Sequence, residues 1–218
     1  MKKLYLLFLL LPCTVYGYSQ SVEDIFQQSD VKVSWLGVDF SHVKLIGNFA
    51  EFFEAGEKSS WQIRDIYFPS WNGIILSEPD KYDIRGMLRK PNIWYDIDMI
   101  GEINAQANVD DMESYNNYKF TDDDIQSFVS QYNLKDKEGI GVLFIAECLN
   151  KNALEAYYHF VAISMPTGDI LFHERLRGEP NGFGLRNYWA NSIYNVIKNI
   201  RDYYYFNWKE RLKPLKRV

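Results

Sequence analysis

Apolar positions along this chain fall into runs with two periods. A period of two marks a strand with one dry face, and a period near 3.6 marks a helix. Residues 31–40 (VKVSWLGVDF) have the β-branched and aromatic content of a strand. Asn48 is placed to cap a short helix over 49–55, and the stretch from there to Arg64 fits either period. Ser77, Glu78 and Pro79 read as a helix start, with a serine cap, an acid in the first turn and a proline whose missing N–H costs nothing there. Ile84, Met87 and Leu88 give that helix an apolar stripe, and Pro91 ends it. Over 93–105, Ile93, Tyr95, Ile97 and Met99 alternate with Trp94, Asp96 and Asp98, which predicts a strand.

Residues 108–119 form a polar, acidic loop. Thr121 and Asp124 make a capping box, followed by Ile125, Phe128, Val129 and Tyr132 at helical spacing. The run 141–149 (GVLFIAECL) reads as continuous apolar, the pattern of a central strand covered on both faces. Runs 157–165 and 170–177 flank Pro166-Thr167-Gly168-Asp169 and predict a hairpin. After the loop Asn181-Gly182-Phe183-Gly184 comes the strongest helix, 185–204. It has Trp189, Ile193, Val196, Ile197, Ile200 and Tyr204 on the stripe expected to pack on the sheet. The expected fold is α/β (α+β): a single mixed β-sheet packed with helices, with a C-terminal β-hairpin followed by a long covering helix. No linker or internal repeat interrupts it. The expected plan is a leader at 1–19, one domain at 20–206 and a basic tail at 207–218.

The leader reads as a secretory signal. Lys2 and Lys3 precede the apolar run 4–11, and small residues stand at Gly17 and Ser19. That run is far short of the roughly 20 residues that cross a bilayer as a helix. Cys13 follows it, but Pro12 stands where a lipid-attachment signal has a small residue, so an ordinary leader is preferred to a lipid anchor. The expected location is therefore the periplasm or cell envelope, with no transmembrane segment. Cleavage leaves Cys148 without a disulfide partner, in an apolar run where a buried small hydrophobe is expected. The 218 residues carry a net charge of −5, and losing the two leader lysines makes it more negative still, which argues against nucleic acid as a partner.

The order of central strand, hairpin and helix is joined by Ile163-Ser164-Met165-Pro166-Thr167-Gly168-Asp169-Ile170-Leu171-Phe172. Together they resemble the T-G-(D/E)-(I/V)-(L/V)-(F/W) hairpin of envelope proteins related to the curli-secretion lipoprotein and the TolB N-terminal domain. The resemblance covers about residues 140–200. It implies an exported α/β module that binds or assembles at the envelope. The chain as a whole looks like a secreted protein of Bacteroidetes type.

Candidate chemistry is sparse. With the hairpin turn centred on Thr167-Gly168, His159 faces Leu176 and His173 faces Ala162. The two imidazoles then lie on opposite sheet faces and cannot share a metal. Asp96 and Asp98 on one strand face suggest a cation or acid/base pair, but a solvated face explains them more simply. Gly139-Ile140-Gly141 precedes a strand, the wrong order for a dinucleotide loop. Asn181 to Gly184 leads into a helix with Arg186 nearby, but no Lys or Ser/Thr completes a phosphate loop. G-x-S-x-G, H-E-x-x-H and paired C-x-x-C motifs do not occur. No catalytic residue, metal or cofactor is assigned.

The aromatic content is high, at 16 Tyr, 14 Phe and 6 Trp, and it concentrates at the C-terminal end. Tyr203, Tyr204, Tyr205, Phe206 and Trp208 cannot all face inward from one helix, because successive residues step about 100° around its axis. With Lys209 and Arg211 they form the predicted contact surface. The tail's cations would settle on the acids between Asp96 and Asp124, or draw an acidic partner or a second copy. The reading is an exported, non-enzymatic envelope protein that binds a protein partner or self-associates. Its rivals are a carbohydrate-binding accessory protein and a hydrolase with an unfamiliar carboxylate site.

Overall fold

The computed structural model describes residues 21–49 and 59–213. The leader and nearly all of the helix expected at 49–55 lie outside the described residues. The centre of the fold is β5 (Ile140–Asn150), buried along its whole length as its apolar run predicts. One edge of β5 pairs antiparallel with β6 (Glu155–Ser164), which pairs antiparallel with β7 (Ile170–Gly178). Two short parallel strands share its other edge. β1 (Val33–Asp39) runs along the first half and β2 (Lys44–Ile46) along the second. β3 (Trp94–Tyr95) extends the sheet beyond β1, and β4 (Glu113–Ser114) beyond β2. The result is the expected mixed sheet, with seven strands among the described residues.

Side chains alternate across β5 and divide the core in two. Ile140, Val142, Phe144 and Ala146 face the larger cluster, built with α1 (Val22–Gln27), α3 (Phe68–Ser77), α4 (Ile84–Leu88), α7 (Gly184–Asn199) and α8 (Tyr205–Arg211). Leu143 and Ile145 face the smaller cluster, under α5 (Asp98–Ala105) and α6 (Asp122–Val129). The α7 stripe of Trp189, Ile193, Val196, Ile197 and Ile200 is buried as expected. Gly178 lets α7 lie close to the sheet, since a Cβ there would come within 2.3 Å of the Ser192 carbonyl.

Both long helices contain a π turn, at Ile63–Tyr67 between α2 (Ser60–Gln62) and α3 and at Ile200–Tyr204 between α7 and α8. Each turn adds one residue, so the core face jumps by five, from Ile63 to Phe68 and from Ile200 to Tyr205. The stripe therefore passes to Tyr205 and leaves Tyr204 only half-buried. The helix runs on to Arg211, past the expected start of the tail at 207, and carries Trp208 into the core.

Three sequence expectations are corrected. Ser77 closes α3 and opens no helix; α4 begins after Asp83, whose carboxylate accepts from Gly86 N–H at 2.8 Å. The strand predicted at 93–105 shrinks to Trp94–Tyr95, and α5 follows. Ile97, Ile100 and Ile103 already carry a helical spacing there, and Asp98 sits in the first turn, where the helix dipole favours an acid. The pairing of β6 with β7 is also displaced. It sets His159 opposite Arg175 and Val161 opposite His173, because Ala162 pairs with Phe172 and Ile163 with Ile170, leaving Leu171 as a bulge. A one-residue slip moves a side chain to the other face, so His159 and His173 share a face after all.

Beyond the end of β3, two buried amides act as a substitute strand along β1. Asn72 accepts from Val38 N–H at 2.7 Å and donates to its carbonyl at 2.9 Å. Asn104 accepts from Phe40 N–H at 2.6 Å. These bonds satisfy backbone groups that burial would otherwise leave unpaired.

Candidate functional site

The predicted contact residues separate by the geometry of the π turn. Tyr203 and Phe206 are 69% and 50% exposed, whereas Tyr205 and Trp208 belong to the core. Tyr204 is half-buried and stacks on Trp208 at 5.7 Å. Lys209 is half-buried, its carbonyl accepting from Gln27 Nε2, and Arg211 is exposed and paired with Glu174 at 2.6 Å. Arg211 thus bonds to β7, and Lys213 pairs with Glu210 on its own helix.

Exposed Phe206 has a partner from α4. Arg89, in the left-handed conformation at the end of that helix (φ 51°), lays its guanidinium 4.3 Å from the Phe206 ring centre and donates to the Arg201 carbonyl at 3.2 Å. Beside this pair lies an open groove of about 830 Å³ whose lining includes Arg85, Arg89, Lys90 and Arg201, with Asp83 and Asp202 as its acids. Burial lowers the Lys90 amine to about 8 despite the nearby Asp30 and Asp24 charges, and its Nζ donates to the carbonyls of Asp24 and Gln28.

Asp96 and Asp98 do not form the suggested pair. Asp96 is ion-paired with Lys137, and Asp98 stands in the first turn of α5. Arg186 turns away from the loop at 181–184 and donates to Ser70 Oγ at 2.7 Å. Cys148 is buried, and burial pushes its thiol up to about 12, with the Glu147 charge adding to the effect.

The unexpected constellation lies where the sheet is interrupted. β1 and β2 form one strand broken at 40–43, and at the same level β5 bulges on its other edge between Ala146 and Cys148. The bulge aims Glu147 onto the face under α6, where it is fully buried. Arg175 Nε and Nη2 donate to Oε1 at 3.0 and 2.5 Å, and Nε also reaches Oε2 at 3.0 Å. His159 Nε2 and Phe120 N–H donate to Oε2, each at 3.0 Å. Burial alone would raise this carboxyl, but the bonds from His159, Arg175 and Phe120 outweigh it and hold it below the ordinary glutamate value. Arg175 also stacks on Tyr157, 3.5 Å from the ring centre. With both oxygens saturated, Glu147 has no free acceptor for a substrate proton and acts as a clamp on the start of α6.

All three histidines of the chain sit against this segment. His42 stacks on Phe128 at 3.8 Å, His159 lies beside the Phe120 ring, and His173 Nε2 is 3.7 Å from Asp122. His159 and His173 rings are 6.2 Å apart, yet no group of three or more His, Cys, Asp or Glu among the described residues is arranged to hold a metal. Asp39 completes the seam, accepting from Tyr132 Oη at 2.6 Å. Glu147 was legible in principle, since a lone acid in an otherwise apolar central strand must find partners.

Desolvation lowers the His42 pKa below the ordinary 6.5, outweighing the pull of Asp39. A histidine held neutral by the fold weakens it on acidification, so this contribution is lost as the pH falls through 6.5 toward the depressed value. His42→Phe keeps the stack on Phe128 and is expected to reduce the fall in melting temperature between pH 7 and about pH 5.5. An unchanged fall would assign that pH dependence elsewhere.

Compared with protein families, curated proteins and solved structures, the chain matches none.

Proposed function

We propose that the protein is an exported binding module of the cell envelope that engages a protein partner through the arginine-lined groove beside α4 and the Phe206 ring under Arg89. The observation that carries this reading is the stack of Arg89 on Phe206. An aromatic ring half open to solvent, next to two that the core absorbs, adds little to folding. A guanidinium resting on it is held ready to bond. Arginine and aromatic residues are the groups that dominate protein–protein contacts. Arg85, Arg89 and Arg201 outnumber Asp83 and Asp202 in this groove, against the sign of the whole chain. The groove therefore suits an acidic segment on the partner.

The test is capture of partners from the native envelope fraction by the tagged mature protein and by its Arg89→Glu/Phe206→Ser variant. A lost hot spot of about 2 kcal/mol weakens capture roughly 30-fold. Exposed substitutions leave the melting temperature within about 2 °C. Equal capture by both proteins would refute the reading, and a collapse in melting temperature would return Phe206 to the core.

A further inference from the structure

The chain contains the pairs Asn72-Gly73 and Asn181-Gly182, and the fold treats them in opposite ways. Asparagine is a chemically labile residue. The backbone nitrogen of the next residue can attack its side-chain amide carbon, and a following glycine favours this because it has no Cβ to restrict the approach. The reaction requires that the nitrogen reach the amide and that neither group be committed to other bonds.

Asn72-Gly73 is committed. Asn72 is 6% exposed, its Oδ1 accepts from Val38 N–H, and its Nδ2 donates to the Val38 carbonyl. Gly73 lies inside α3, where its N–H belongs to the helical ladder.

Asn181-Gly182 meets both requirements. The pair is exposed in the loop between β7 and α7. Gly182 N–H donates to Asn181 Oδ1 at 2.7 Å, so the attacking nitrogen already rests against the amide it would attack. That N–H has no other acceptor among the described residues, and Asn181 Nδ2 makes no hydrogen bond among them. The backbone holds the contact in place: Asn181 N–H donates to the Tyr188 carbonyl at 3.2 Å, and Gly182 sits at φ 110°, where glycine is favoured.

We propose that Asn181 is a self-modification site at which the folded chain deamidates. Gly182 N–H gives its proton to hydroxide and the nitrogen bonds to Asn181 Cγ. The Cγ–Nδ2 bond breaks, and the amide nitrogen takes up protons from water and leaves as ammonia. Water then opens the five-membered succinimide at either carbonyl, giving aspartate or isoaspartate at position 181. The balance is water in and ammonia out, with no change of oxidation state. The product carboxylate stands just ahead of α7, whose first turn holds no acid and whose Phe183 cap makes no side-chain bond, so the new charge is favourably placed. The site shares no residue with the α4 groove and stands or falls independently of the proposed protein contact.

The test is incubation of the folded mature protein in mildly alkaline buffer at body temperature, followed by digestion and mass measurement of the peptides. The Asn181 peptide is expected to gain the mass of an NH-to-O exchange and to resolve into aspartate and isoaspartate forms. The Asn72 peptide is expected to convert at least tenfold more slowly. In urea the protection of Asn72 is lost, and the two pairs are expected to react at similar rates. Asn181→Gln, whose longer side chain would have to close a six-membered ring, is expected to abolish the gain at position 181. An unchanged Asn181 peptide, equal conversion of both pairs in the folded protein, or an Asn72 peptide as inert in urea as in buffer would each overturn the inference.

Discussion

Glu147→Ala is expected to destabilise the protein by about 3–5 kcal/mol in urea unfolding, the usual cost of removing one member of a buried ion pair. The loss is concentrated because one carboxylate serves three elements. Arg175 on β7, His159 on β6 and the Phe120 N–H before α6 all converge on it. Removing it leaves a guanidinium and an imidazole facing each other on a largely dry sheet face. Removing both charges, as in Glu147→Leu/Arg175→Leu, is expected to cost less than the single change, since well-packed apolar groups often replace a buried pair at little cost.

The same clamp has a pH signature. The Glu147 pKa is depressed in the folded protein, so its stabilisation is complete above the ordinary glutamate value of 4.5 and is lost as the pH falls through the lower folded value. Glu147→Gln is expected to flatten stability below pH 4.5 relative to wild type. If Glu147→Ala costs less than about 0.5 kcal/mol, within surface-substitution scatter, the cluster is not a clamp.

The elements legible in the sequence are those whose local signals agree with their tertiary setting. The run at 141–149, the Pro166–Asp169 turn and the Thr121–Asp124 capping box each admit one reading, and β5, the hairpin and α6 follow them. The misreadings share a cause. Residues 93–99 alternate like a strand, but β1 offers partners only at Ser34 and Trp35, and the edge beyond is taken by Asn72 and Asn104. The chain turns into α5 instead. A regular hairpin would separate the histidines, and a single bulged residue, Leu171, reunites them. Glu147 reads as part of an apolar run because its partners Arg175 and Phe120 lie far along the chain. Pairwise geometry of this kind depends on bulges and π turns, which insert one residue without a residue type to announce them.

Trp208→Ala is expected to cost about 3–5 kcal/mol, the range for emptying a large aromatic site. Trp208 is 1% exposed, with ring centres of Phe160 at 4.9 Å, Phe172 at 5.0 Å and Phe26 at 6.1 Å. Its Nε1 donates to Glu174 at 2.9 Å, and the same carboxylate receives Arg211. The indole thus joins β6, β7, α1 and α8, and its loss opens a cavity that a helix held at both sides cannot collapse to fill. Truncation after Asp202 removes Tyr205 as well and is expected to unfold the protein, so deleting the whole segment cannot separate a contact role from a packing role. Point changes can. Trp208→Ala should lower the urea midpoint strongly, whereas Tyr203→Ser, at 69% exposure, should leave it within about 0.5 kcal/mol of wild type. Equal effects of the two would mean that the five-residue jump from Ile200 to Tyr205 does not set which aromatics the core absorbs. The division of this segment into core and contact halves would then be lost.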